Sequence, residues 1–210
     1  AWPVFAKLYG LDRDANFEGR WHLHQMTDLA DAAAAAGLEP ERAVELIDAA
    51  RATLLKVREG RVRPGRDDKI LTAWNGLMIR GMAIAARHLQ RPDLADSAAR
   101  AVEFLRGSLW QEGRLRVSYK DGRADIPAYL DDYAFLLDGL LELLQVRWDN
   151  DMLSFAVELA EVLLEHFQDP AAGGFFFTAD DQERLIHRPR PLADEALPAG
   201  TAAIVLPGGY

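Results

Sequence analysis

The chain has 210 residues, of which 50% are hydrophobic, and carries 24 Lys and Arg against 33 Asp and Glu for a formal charge of −9. That length and apolar content suit one domain with a real core, and the acidic balance excludes general nucleic-acid binding, which needs an excess of cations over phosphate. The absence of cysteine rules out disulfides, thiolate chemistry and Cys-ligated zinc, and no apolar run reaches the roughly 18 residues of a membrane span.

No signal-like stretch opens the chain, and a cytoplasmic location is expected. Residues 1–27 carry Trp2, Phe5, Tyr9, Phe17 and Trp21 without clear periodicity and read as a loop-rich lead-in, with residues 28–210 as the helical domain. Thr27 or Asp28 caps a short Ala-rich helix that stops at Gly37. Pro40 opens a longer helix, in which Ala43, Ile47, Ala50, Leu54 and Val57 share one face. From Ile70 to Leu89 the apolar residues Leu71, Trp74, Leu77, Met78, Met82, Ile84 and Ala85 point in almost every direction, which predicts a helix buried on most sides. Asp93 to Trp110 is amphipathic. Tyr129 to Val146 is again apolar all round, and Asn150 to Phe167 again amphipathic. Alternating buried and half-exposed helices predict an all-α fold, a partial α/α toroid of helical hairpins. Short two-stranded arms connect the hairpins: Leu115 to Lys120 alternates and turns at Asp121-Gly122, and a second arm runs from Gly173 to Thr178.

A period links these elements. Asp67-Asp68, Asp131-Asp132 and Asp194-Glu195 recur at steps of 64 and 63 residues, and Gly76 and Gly139, each followed by Leu, keep the step of 63. One helix-pair unit is used repeatedly, with carboxylates at equivalent ends of successive inner helices.

Asn16-Phe17-Glu18-Gly19, the run Arg63 to Ile79 (RPGRDDKILTAWNGLMI), Leu130-Asp131-Asp132-Tyr133-Ala134, Gly173-Gly174-Phe175-Phe176 and Asp194 to Gly200 (DEALPAG) stand in one order. On these motifs the chain resembles the helical part of the thioredoxin-domain-containing proteins of the YyaL and spermatogenesis-associated type, over about residues 9 to 203. The resemblance implies a helical region similar to the six-hairpin glycosidase and N-acylglucosamine 2-epimerase barrels. The thioredoxin-like domain of that family is absent from this chain. About half of a six-hairpin ring is represented, so the chain is expected to be a fragment. Inner helices that are apolar all round need neighbours on both sides, which implies self-association or contact with the missing part of the ring.

Asp at a helix start is commonly a cap, because its oxygen accepts orphan amide hydrogens and its charge suits the helix dipole. Converging on one face, the same carboxylates would serve as acid and base on a glycosidic bond or bind sugar hydroxyls. Glu caps less well than Asp, so the register containing Glu195 is assigned to the cavity: Asp68, Asp132 and Glu195 as catalytic candidates, and Asp67, Asp131 and Asp194 as caps. Trp74 with Asn75, and Tyr133, are either core residues or a sugar-stacking platform. His187 precedes the third acidic pair and can reach the same face. Arg66 belongs to the basic run Arg58, Arg61, Arg63 and Arg66, a solvated cluster or a contact for a phosphorylated sugar. His22 and His24 alternate without completing a metal site. No metal, no cofactor and no membrane or nucleic-acid partner are expected, and the candidate ligand is a sugar or sugar phosphate. Two functions compete: a carbohydrate-active enzyme (a glycoside hydrolase or sugar epimerase), and a non-catalytic helical scaffold or interaction module.

Overall fold

A computed structural model describes residues 1–183, 186–194 and 196–205. Its contacts fall into two compact units, Ala1–Arg66 and Asp67–Tyr210. The first unit holds α1 (Trp2–Tyr9), α2 (Leu29–Ala35) and α3 (Pro40–Glu59) around Val4, Phe5, Leu8, Ala32, Ala33, Ala43 and Ile47. The stretch read as a loop-rich lead-in therefore begins with a helix. Trp2, Phe5 and Tyr9 follow helical spacing, but eight residues are too few for that period to stand out. These residues share a core with α2 and α3, so the division lies after Arg66 and not after residue 27.

The second unit is built from helical hairpins. It contains β1 (Ile70–Leu71), α4 (Thr72–Leu89), α5 (Pro92–Leu109), β2 (Trp110–Gln111), β3 (Arg114–Leu115), β4 (Ser118–Tyr119), α6 (Leu130–Leu144), α7 (Asn150–Val162) and α8 (Gly200–Val205). Helices α4, α6 and α8 are successive neighbours in an inner row, while α5 packs on α4 and α7 on α6 from outside. This is an all-α, partial α/α toroid arrangement. The outer helices bury one stripe each: Ala95, Ala98, Val102, Leu105 and Leu109 on α5, and Met152, Phe155, Ala156 and Leu159 on α7. Asp149 caps α7 by accepting the Met152 amide at 2.9 Å. A π-helical turn, Leu163–Phe167, extends α7.

The first arm forms short antiparallel pairs, whereas Gly173–Thr178, read as a second arm, makes only an isolated bridge, Phe175 with Gln168, among the described residues. Strands β2 and β3 are joined by Glu112-Gly113, both at positive φ (53° and 73°), as a type I′ hairpin requires. Strand β4 pairs with β1, Ile70 opposite Tyr119 and Leu71 opposite Ser118, so the arm after α5 is hydrogen-bonded to the entry of α4.

Helix α6 is buried nearly all round, since it has inner neighbours on both sides. Each Leu it buries contributes roughly 1.5–3 kcal/mol. Helix α4 departs from expectation. It buries Thr72, Gly76, Ile79, Ala83 and Ala86 against α5 and α6, but Trp74 and Met78 are 61% and 62% exposed. Among the described residues of its unit α4 has one inner neighbour, α6, and its Trp74 and Met78 face is exposed.

The contact between α4 and α6 is unusually close. A Cβ on Gly76 would lie 2.6 Å from Leu136 N and Phe135 C, and one on Gly139 would lie 2.7 Å from Gly76 O. The paired glycines let two helix backbones touch. Replacing Gly by Ala within a helix ordinarily gains about 1 kcal/mol of propensity. At Gly81 on the same helix, where nothing lies within 4 Å of an added Cβ, Gly81→Ala is expected to stabilise by up to that amount. Gly76→Ala drives a methyl into backbone and is expected to lose roughly 1–3 kcal/mol net. Urea denaturation of both variants checks this; equal shifts of one sign would show that the close approach is absent.

Candidate functional site

The described acids of the three pairs are distributed unevenly. Asp131 and Asp132 occupy the first turn of α6. Asp67 and Asp68 instead precede α4, because Ile70 and Leu71 are held extended by β4, and Asp194 stands ahead of α8, which begins at Gly200.

Asp132 is almost fully buried, and both its oxygens accept backbone amides. Oδ2 takes the Tyr129 amide at 2.9 Å, closing the start of α6, and Oδ1 takes the Ala73 amide of α4 at 3.1 Å. One carboxylate therefore ties the starts of two inner helices together. Burial pushes its pKa up to about 7, against the pull of the two amides and with a smaller push from Asp131. Asp131 is half-buried and turns the other way. Its Oδ1 accepts the Gly200 amide at 3.1 Å, at the start of α8, and its Oδ2 has no partner among the described residues. Burial raises its pKa as well, with the Gly200 amide opposing.

Asp132, assigned to the cavity, is thus the residue that closes α6, and Asp131, assigned to capping, accepts an amide of α8 instead. Equal spacing places the pairs in one helical register, but the pairing of β1 with β4 offsets the first from the second. Asp194 accepts the Ala199 amide at 2.9 Å, in the turn ahead of α8 and not at its cap position. Asp67 is exposed, accepts the Lys69 amide at 3.3 Å and pairs with the Lys69 ammonium, which lowers its pKa. Asp68 is exposed, and Glu195 lies outside the described residues.

The remaining candidates separate. Tyr133 is buried, its hydroxyl accepting the Leu115 amide at 2.9 Å, and its ring tilts onto Phe167; it ties the arm to the core. Asn75 donates to Leu71 O at 2.8 Å within its own helix start. Trp74 is exposed on the open face of α4 and lines no cavity with the acids among the described residues. Arg66 is exposed and belongs to the first unit. His187 shares a cleft with one of the acids. It lines, with Asp131, Phe177, Arg190, Pro191 and Leu197, a cleft of about 640 Å³. Arg190 is engaged there by Asp169 at 2.9 Å and by Gly173 O.

One cluster escaped the sequence reading. His166 Nδ1 lies 2.9 Å from Asp180 Oδ1 and 3.8 Å from Asp181 Oδ2, and the three side chains are the ones that could hold a metal among the described residues. Arg114 already forks onto Asp181, with Nη2 to Oδ1 at 3.0 Å. Nothing in the sequence signals that the π-helical turn brings His166 to the Asp180-Asp181 turn.

Over 193 residues the chain is 30% identical to spermatogenesis-associated protein 20 of Rattus norvegicus, an alignment covering 82% of this chain and 24% of that protein. The chain is a homologue of spermatogenesis-associated protein 20. The human spermatogenesis-associated protein 20 is 31% identical over 154 residues, 69% of this chain and 20% of its own length. An uncharacterized protein of Caenorhabditis elegans is 31% identical over 164 residues, 74% of this chain and 22% of its own. The chain spans about a quarter of the length of the first of these curated relatives, at 24%. No protein-family model matches. Among solved structures, cellobiose 2-epimerase from Spirochaeta thermophila superposes with a TM-score of 0.46 at 20% identity, over 52% of this chain and 28% of that one. A GH76 α-mannanase of Bacteroides thetaiotaomicron gives 0.47 at 13% identity, over 58% and 36%.

In this homologue of spermatogenesis-associated protein 20, Asp132 sets a measurable pH dependence. Its folded-state pKa is raised, so between the ordinary 3.8 and about 7 the native state holds a proton that the unfolded chain releases. Stability from this group therefore rises as pH falls through that window, by up to roughly 1.4 kcal/mol per pH unit. Asp132→Asn, fixed in a neutral form, is expected to lack that slope. Urea midpoints of both proteins from pH 4.5 to 8 test it; parallel curves would refute the assignment.

Proposed function

We propose that the Asp67–Tyr210 unit binds a neutral sugar in the cleft in front of Asp131. The observation that carries this reading is the state of that carboxyl group: half-buried, raised in pKa, one oxygen fixed by the Gly200 amide and the other without a partner among the described residues. Such a group is poised to exchange hydrogen bonds or a proton with a sugar hydroxyl. Phe177 supplies a flat apolar wall for a pyranose face, and His187 stands on the same cleft as a second group able to carry a proton. The cleft's guanidinium, Arg190, is already held by Asp169 and Gly173, which favours a neutral sugar over a sugar phosphate.

Hydrolysis is the less supported chemistry for this pair. It needs two free carboxyl groups about 5–9.5 Å apart, and both oxygens of Asp132 are engaged by backbone amides. The scaffold reading is favoured by one observation, the open Trp74 and Met78 face of α4.

Calorimetric titration with neutral mono- and disaccharides separates the two readings. Saturable binding is expected, with dissociation constants on the order of 1 mM, about −4 kcal/mol. Asp131→Asn keeps an acceptor for the Gly200 amide but cannot carry a proton, and is expected to weaken binding about tenfold, roughly 1.4 kcal/mol. No heat from any sugar would leave the interaction module as the function.

A further inference from the structure

We propose a second binding site, for a small molecule bearing a carboxylate or phosphate group, at Arg116. It lies in a different cleft from that of Asp131 and does not rest on the sugar reading.

The site follows from strand geometry. Leu115 points into the core and is fully buried, so Arg114 and Arg116 on either side of it share the opposite face of the arm. Both line a cleft of about 330 Å³ with Tyr129, Tyr133 and Gln182. Arg114 is neutralised by its fork onto Asp181. Arg116 is not: its side chain makes no hydrogen bond or ion pair among the described residues, and its Nε is buried away from solvent without an acceptor. A buried guanidinium N–H left unpaired is costly, and native structures rarely tolerate one without a ligand or an ordered water to accept it. A guanidinium presents its donors in a planar fork that matches the two oxygens of a carboxylate or phosphate.

The backbone that carries Arg116 is also fixed in place. Its amide donates to Leu109 O at 3.0 Å, and its carbonyl accepts the Thr72 hydroxyl at 2.6 Å, so its backbone is pinned between the end of α5 and the start of α4. Such anchoring reduces the ordering cost of binding. Tyr129 forms an aromatic wall, itself stacked on Phe177 with ring centroids 5.1 Å apart and planes at 8°. Glu112 and Glu183 are exposed and line the same cleft. Their charge disfavours a polyanion and suits a compact ligand with one acidic group and hydroxyl or amine donors directed at the two glutamates.

The test uses the 210-residue chain and the Nε–H signals of its arginines in ¹H–¹⁵N spectra, with the Arg116 signal identified by its loss in Arg116→Lys. The chain is titrated with acetate in one series and inorganic phosphate in another, at constant ionic strength, with chloride as the control. A saturable shift of the Arg116 signal is expected with at least one of the two, and the arm that saturates at lower concentration identifies the acidic group. In Arg116→Lys, which keeps the charge but lacks the fork, the accompanying shift of the Gln182 amide is expected to need at least about tenfold more ligand. The proposal is overturned if the Arg116 signal stays fixed or moves linearly and equally with chloride, as it would over an ordered water. Unchanged ligand response in Arg116→Lys would overturn it equally.

Discussion

Gly76 on α4 and Gly139 on α6 bring two helix backbones closer than any side chain would permit, and the rest of the second unit is arranged around that contact. Because the helices touch there, their first turns lie side by side, and Asp132 at the start of α6 can reach the Ala73 amide of α4. A helix start leaves amide hydrogens without partners. In most proteins a residue of the same segment accepts them. Here one carboxylate serves two helices, and its neighbour Asp131 serves a third at Gly200. A Cβ on Gly200 would fall 2.2 Å from Asp131 Oδ1, so that junction also depends on the lack of a side chain.

This division of labour bears on chemistry. A carboxylate that closes two helix starts has both its oxygens engaged by backbone amides. The adjacent carboxylate spends one oxygen on structure and keeps the other. Asp131 and Asp132 are therefore alike in sequence but not in availability, and the difference comes from which neighbouring helix each one faces. Tyr133, next in the chain, continues the structural side by anchoring the arm through Leu115.

Much of this was legible in the residues alone. The existence and order of α3 to α7 follow the apolar periods, with Pro40 and Gly60 bounding α3, and the step of 63 residues picked out the two glycines that meet. Three things were not legible. The partner of Asp132 lies 59 residues away, and no local pattern announces an amide borrowed from another helix. The pairing of Ile70-Leu71 with β4 delays α4 until Thr72, which breaks the equivalence of the acidic pairs that equal spacing implied. Trp74 and Met78 read as core because an apolar helix is normally surrounded, whereas α4 has one inner neighbour in its unit.

The π-helical turn at Leu163–Phe167 closes with the Gln168 amide on Leu163 O at 3.1 Å, one residue wider than an α-helical turn. A widened turn behaves as a one-residue insertion in an otherwise regular helix, and it rotates everything after it by about 100° relative to an unbroken α-helix. That rotation seats Phe167 in the core while leaving the His166 carbonyl free of the helix, where it receives the Asp180 amide and the Arg188 guanidinium. In terms of indels, this point of the chain is unlike the loops around it. A loop absorbs the loss of one residue by tightening, but loss of one residue here would return α7 to regular phase, swing Phe167 toward solvent and strip the second arm of its anchor on the helix.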